Sequence, residues 1–210
     1  TNLGNSAGDV LATYGRELGY VAADCRVATP HTAIECDTVP GAGMQHEWQI
    51  AVAGQTSPWS GTAHTTSYAR PTVTAITAPA LTTEGGEVVV VEGTNFGPGH
   101  VAVASAELNT FHRVTAEYGD NAGDGVWYAA ACTVATPHTQ LECVSAPGVG
   151  ANLVWRVRVG GSTGGVSTAT TSYLAPKITL IRDGEGAIGA STRGGERVIL
   201  EGTNFGPATP

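Results

Sequence analysis

The chain has 210 residues, enough for two cored domains, and its net charge at pH 7 is -8. A negative charge of this size argues against nucleic acid as a partner, since nucleic-acid-binding proteins need a basic face. Only 13% of the residues are charged and 29 are glycine, a composition that favours short strands and turns over long helices. No apolar run is long enough to predict a membrane-spanning segment.

Two blocks of sequence occur twice along the chain. The nineteen residues 25–43 return almost unchanged at 132–150, and the short run 10–14 is similar to 114–118. A second block, E-G-T-N-F-G-P, is found at 92–98 and again at 201–207. Repetition at this nearly fixed spacing predicts a domain of about a hundred residues in tandem copies.

Each copy of the longer block predicts a β-hairpin. Residues 29–32, Thr-Pro-His-Thr, suit a tight turn with proline where its fixed φ is favourable. Folding about this turn places Cys25 opposite Cys36, and the second copy places Cys132 opposite Cys143. We therefore predict one disulfide per hairpin, worth about 3 kcal/mol each. This spacing indicates an oxidising, extracellular setting, whereas zinc ligands usually form closer cysteine pairs.

The residues after each hairpin alternate between apolar and polar. This pattern covers 45–52 and 153–159 and predicts strands with one buried and one solvated face. Trp48 and Trp155 occupy equivalent positions in these strands. We expect both to anchor a core.

A new repeat begins after each of two prolines, Pro71 and Pro176. The predicted strands are 73–76 and 86–93 in one copy and 178–181 and 195–202 in the other. Phe96 and Phe205 follow these strands, and we expect each ring to fill the end of its sandwich. Residues 71–175 therefore make one complete unit of about seven short strands. Such a unit is typical of a two-sheet sandwich.

These motifs resemble the immunoglobulin-like domain shared by plexins and transcription factors, the IPT/TIG family. The resemblance rests on P-x-[IV]-x-x-[IL] leading to G-G-E-x4-E-G-T-N-F-G, on the C-x10-C-x3-P-G-x-G hairpin, and on the closing S-Y-x-x-P. It implies an all-β chain of tandem immunoglobulin-like β-sandwiches, of the extracellular, disulfide-containing type. Function does not follow, because family members serve as receptor stalks, adhesive repeats, enzyme appendages and DNA-binding modules.

The repeat is divided unevenly among three segments, namely 1–70, 71–175 and 176–210. The first lacks the opening strands of its unit, and the last consists of those strands without a body. A sandwich without its opening strands would expose a core groove and bare sheet edges. Two hypotheses follow: residues 176–210 of one molecule complete 1–70 of the next, or the chain is a window of a longer covalent array. The donated residues would be Ile178, Leu180, Ile181, Val198, Ile199, Leu200 and Phe205.

Other sequence motifs that resemble binding or catalytic sites are better interpreted as turns. Residues 184–189 fit G-x-G-x-x-G, but a strand rather than a helix follows, so no dinucleotide site is expected. Residues 120–125 resemble a calcium loop but lack its middle acidic ligand and its closing glutamate. No nucleophile has a nearby base and no carboxylates are paired, so we expect no catalytic, cofactor or metal site and no enzyme activity. N-glycosylation sequons are absent, while O-linked glycan on threonine or serine stays open.

These patterns together favour an architectural role. We expect a structural subunit of an extracellular filament or surface appendage, assembled head to tail from copies of itself, with no nucleic acid or membrane insertion. The alternative is an ectodomain fragment of a cell-surface receptor or adhesin that binds a protein or glycan. Its nearest candidate site is Pro58-Trp59, whose counterpart region 162–165 has no aromatic residue.

Overall fold

The computed structural model describes residues 10–99, 113–121, 125–183 and 191–208. These residues form seventeen β-strands and no helix, which confirms the predicted all-β fold class. Accordingly, no helix within the described ranges is long and apolar enough to span a membrane.

Seven short strands make up the first unit. They are β1 (Val10–Tyr14), β2 (Tyr20–Val21), β3 (Ala23–Thr29), β4 (Ala33–Asp37), β5 (His46–Val52), β6 (Gln55–Thr56) and β7 (Thr65–Thr66). One sheet has the order β2-β1-β5-β6, with β7 also paired to β5. Strands β3 and β4 form a separate two-stranded sheet, so among the described residues β4 has β3 as its only partner.

The middle unit has eight strands in one continuous path. They are β8 (Thr72–Thr77), β9 (Val88–Thr94), β10 (Val114–Gly119), β11 (Trp127–Thr136), β12 (Gln140–Val144), β13 (Leu153–Val159), β14 (Ser162–Thr163) and β15 (Thr170–Thr171). Their order is β14-β13-β10-β11-β12-β9-β8, with β15 paired to β13. The long strand β11 pairs first with β10 and then with β12, so it joins two layers that pack around one core.

The turns of the two cysteine hairpins have the predicted form. Thr32 N–H donates to the Thr29 carbonyl at 3.1 Å, which closes a four-residue turn with Pro30 at its second position. His31 has a φ of 64° and His138, its equivalent, 66°. A positive φ at the third position is the requirement of a type II turn, and glycine or asparagine usually occupies it.

Both predicted disulfides are present. Cys25 is bonded to Cys36 and Cys132 to Cys143, each across a sequence separation of 11 residues. They join the strands of each hairpin and agree with an oxidising environment.

Aromatic rings form the same cluster in each unit. In the middle unit Trp155 stacks on Tyr118 with ring centroids 4.4 Å apart, and the hydroxyls of Tyr118 and Tyr173 are hydrogen-bonded at 2.6 Å. In the first unit Trp48 stacks on Tyr14 at the same 4.4 Å, and Tyr14 bonds to Tyr68 at 2.6 Å. The aromatic clusters of the two units are therefore equivalent.

His46 is buried in the first unit's cluster, where the middle unit has Leu153. Its Nε2 lies 3.1 Å from the Ala42 carbonyl, and its ring makes T-shaped contacts with Tyr20 and Tyr68, each with a centroid distance of 5.6 Å. Burial lowers the pKa of His46, although hydrogen bonds to backbone carbonyls partly oppose this. The folded first unit therefore holds this imidazole neutral.

We expect the first unit to lose stability as the pH falls below about 6.5, the ordinary pKa of histidine. Below that pH the unfolded chain binds a proton that the buried imidazole of the folded unit resists, so acid favours unfolding. The substitution His46→Leu introduces the middle unit's residue and is expected to remove this dependence. Amide hydrogen exchange at pH 7 and pH 5 measures it on β1 and β5, with β10 and β13 as the internal control. An equal response of the two units to acid would contradict the prediction.

Candidate functional site

The middle unit shows how one strand closes this fold. Strand β9 pairs with β12, so that Val91 lies opposite Leu141 and Val89 opposite Cys143. All four side chains are 0% exposed. The hairpin of β8 and β9 thus covers a core that β10 to β13 would otherwise leave open.

The loop after β9 docks on the turn of the cysteine hairpin. His138 N–H donates to the Gly97 carbonyl at 2.7 Å, and Phe96 N–H donates to the His138 carbonyl at 3.1 Å. Gly93 N–H also donates to the Thr139 carbonyl at 2.9 Å. Phe96 is fully buried at this end of the sandwich, as its sequence context predicted.

A hydroxyl–carboxylate clamp fixes the other end of the closing hairpin. The Glu87 carboxylate accepts hydrogen bonds from Thr82 N–H at 2.9 Å, from Thr82 Oγ1 at 2.6 Å and from Ser145 Oγ at 2.7 Å. Burial raises the pKa of Glu87, but these hydrogen bonds outweigh it and lower the pKa to about 2. The clamp residues have equivalents elsewhere in the chain: Ser191 for Thr82, Glu196 for Glu87 and Thr38 for Ser145. This repetition is the sequence signal that could have revealed the clamp.

In the first unit, the equivalent core is open. A groove of about 380 Å³ is lined there by five apolar residues and one carboxylate: Ala12, Ile34, Cys36, Trp48, Ile50 and Glu35. Trp48 is only half-buried there, whereas its equivalent, Trp155, is fully buried. The prediction that both tryptophans are core anchors is thus confirmed for the middle unit, while in the first unit the anchor borders an open face.

The hairpin turn of the first unit also has no docked loop. The backbone N–H and carbonyl of His31 make no hydrogen bond to any residue in the described part of the chain, although the turn has the same φ as that of His138. The groove and this turn together form the acceptor face. This face holds Ile34, Cys36 and His31, the equivalents of the residues Leu141, Cys143 and His138 that contact β9 and its loop in the middle unit.

The predicted closing strands of the last segment form a hairpin by themselves. Strands β16 (Lys177–Asp183) and β17 (Val198–Thr203) make a two-stranded sheet. Their large apolar side chains are 50–51% exposed: Ile178, Leu180, Ile181, Val198, Leu200 and Phe205. Ile199 is half-buried. We call the exposed apolar surface of the first six residues, without Ile199, the donor face.

The β16–β17 hairpin already has the conformation of β8–β9. Ile178 pairs with Gly202 and Leu180 with Glu201, with a register shift between them. The β8–β9 pair has the same shift between its equivalent pairs. Ser191 N–H donates to Glu196 Oε1 at 2.9 Å, as Thr82 N–H does to Glu87.

Successive units meet through the same contact. Gly97, in the loop after β9, lies against Val159 of its own unit and Ala42 of the first unit. Gly206, the equivalent glycine after β17, lies against Val149, the residue that corresponds to Ala42. The contact between the first and middle units thus recurs between the middle unit and the β16–β17 hairpin.

The remaining sequence candidates have no site geometry in the described residues. Residues 184–189 and 122–124, which carry the glycine motif and part of the acidic turn, lie outside the described ranges. Trp59 is half-buried, and the Arg16 guanidinium lies 5.9 Å from its ring centroid. Among the described residues, no group of three or more His, Cys, Asp and Glu side chains is placed to hold a metal ion.

No protein-family model matches this chain, and no curated protein is significantly similar to it in sequence. The middle unit therefore serves as the reference for the other two segments.

Proposed function

We propose that this protein is a structural subunit of an extracellular filament or surface appendage built from IPT/TIG-type immunoglobulin-like sandwiches. In this assembly the β16–β17 hairpin of one molecule completes the first unit of the next molecule. One observation carries the proposal: the donor hairpin has the register and bulge of β8–β9, and the first unit exposes the groove that β8–β9 fills in the middle unit.

The energetics are of the size that such a joint needs. Burying the exposed half of each large apolar side chain on the donor face contributes on the order of 1 kcal/mol. A new ladder between β17 and β4 adds backbone hydrogen bonds of about 1 kcal/mol each. These terms together offset the association cost of about 4–15 kcal/mol, the more so because the donor hairpin is already formed.

The joint is heterologous, because donor and acceptor are different surfaces of the same chain. Such contacts propagate into open filaments unless the rotation between subunits closes a ring. The recurring contact of Gly97 with Ala42 and of Gly206 with Val149 supports a uniform array of sandwiches. Disulfides within each hairpin would stiffen the units in the oxidising environment that they indicate.

The substitution Leu200→Ala tests strand donation. Leu200 corresponds to Val91, which is fully buried in the middle unit, and truncating a leucine at such a position costs about 2 kcal/mol or more. We therefore expect the concentration needed for polymerisation to rise roughly thirtyfold. Sedimentation and electron microscopy of the purified chain measure this.

The matched control is Ile199→Ala, because Ile199 corresponds to Val90 on the opposite side of the strand. We expect it to change the polymerisation threshold less than about threefold. Equal effects at the two positions, or unmodified chains that stay monomeric, would contradict strand donation.

A covalent array would form the same joint within one long polypeptide. The size of the native material under denaturing, reducing conditions distinguishes the two arrangements. Strand donation predicts separate chains, while covalent continuation predicts a much larger polypeptide.

A further inference from the structure

At one pair of outward positions, the proposed joint has charged residues where its counterpart in the middle unit has apolar ones. In the middle unit Val144 of β12 lies opposite Val88 of β9, and both side chains are exposed. In the repeat, Val144 corresponds to Asp37 at the end of β4, and Val88 to Arg197 just before β17. An apolar pair within the chain is therefore replaced by opposite charges where two molecules would meet.

From this replacement we propose that Asp37 of one molecule and Arg197 of the next form an ion pair that selects the second copy and sets the register of the joint. This inference rests on the proposed function, since it specifies the partner of the same surface. Both side chains are exposed, and neither forms an ion pair with any residue that the structure describes. Both are therefore free to meet across the joint.

The neighbouring outward positions agree with this pairing. The pair Glu142 and Val90 of the middle unit becomes Glu35 opposite Ile199, and Glu35 is already paired with Arg26 of its own hairpin. Glu201 would lie opposite Ala33, and within its own hairpin it is already paired with Arg182. The proposed register thus brings no like charges into direct opposition.

The inward positions of the joint keep the character of the middle unit. Leu141 opposite Val91 becomes Ile34 opposite Leu200. The clamp keeps its hydroxyl as well, since Ser145, which bonds to Glu87, is replaced by Thr38, opposite Glu196. Binding strength therefore comes from elements common to both joints, and the charge pair is what distinguishes them.

This difference opposes exchange of hairpins between the two kinds of joint. A β16–β17 hairpin that replaced β8–β9 in a middle unit would set Arg197 against Val144 with no counter-charge. A β8–β9 hairpin placed on β4 would set Val88 against Asp37. Unmatched charges at incorrect joints are a common means of partner selection.

Two charge reversals test the pair directly: Asp37→Arg and Arg197→Asp. Each variant alone places like charges at every joint, and we expect its polymerisation threshold to rise about three- to tenfold. An equimolar mixture restores opposite charges at every joint, with the two variants alternating along the filament. We expect the mixture to assemble near the threshold of the unmodified chain. High salt is expected to weaken the preference of each variant for the other, because it screens the charges.

The matched control is Lys177→Asp, an equal change of charge on β16, the strand of the hairpin that does not pair with β4 in the proposed joint. We expect it to leave the threshold unchanged. Single reversals that assemble as readily as the unmodified chain, or a mixture that fails to recover, would overturn the charge pair while the filament itself stands. Unmodified chains that never polymerise would overturn the proposed function first, so the two failures are distinguishable.

Discussion

A chain that carries Ala33→Cys and Glu201→Cys is expected to form a covalent ladder of dimers, trimers and longer species on oxidation. The equivalent residues of the middle unit, Gln140 and Glu92, are directly opposite each other in the β12–β9 pair. Opposed residues of antiparallel strands have Cβ atoms about 4.5–5.5 Å apart, close to disulfide geometry. All four native cysteines are already in disulfides, so the new thiols are left to pair with each other. Non-reducing gel electrophoresis of polymerised chains shows the ladder.

The register control is Glu35→Cys with Glu201→Cys. It uses the same surface but moves one thiol by two residues, which leaves the pair diagonal at about 7–8 Å and outside disulfide geometry. Ladders of equal intensity from both variants would indicate random collision. A fast-migrating monomer would indicate that the hairpin closes within its own chain, which contradicts strand donation.

Substitution by alanine at two equivalent glycines is expected to affect two different properties, the stability of the middle unit and the polymerisation of the chain. Gly85 and Gly194 both have a φ of 72°, so the backbone penalty of a side chain is the same, about 1 kcal/mol. A Cβ on Gly85 would lie 2.5 Å from the Ala146 carbonyl carbon, whereas a Cβ on Gly194 would have nothing within 4 Å. We expect Gly85→Ala to destabilise the middle unit by about 2–4 kcal/mol, because overpacking adds to the backbone strain. Urea unfolding measured by the fluorescence of Trp155 checks this.

Gly194→Ala is expected to leave the middle unit's stability unchanged and to block polymerisation. In the proposed joint its new methyl group would meet residues 39–40 of the neighbouring molecule, as a Cβ on Gly85 would meet 146–147 within the chain. Gly161→Ala is the control, since Gly161 has a φ of 82° and its Cβ would also have nothing within 4 Å. Normal polymerisation of the Gly194→Ala chain would show that the hairpin does not bind as β8–β9 does.

The sequence predicts the parts of this protein that short-range physics decides. The turn at His31 follows from the proline beside it, and the pairing of Cys132 with Cys143 follows from alternation about an equivalent turn. Strand β5 occupies 46–52, which is all but the first residue of the alternating pattern at 45–52. Repetition also identified the equivalent positions of the units without any structure. All of these depend on contacts among residues close along the chain.

Only the tertiary structure decided which of these equivalent surfaces are closed. Trp48 and Trp155 stand in nearly the same local pattern, yet one borders an open groove and the other is fully buried. Their difference depends on whether β9, about fifty residues before β12 in the chain, lies across the core. The clamp of Glu87 with Ser145 and the close approach at Gly85 are decided in the same way. Contacts between distant segments depend on packing, and no local periodicity records them.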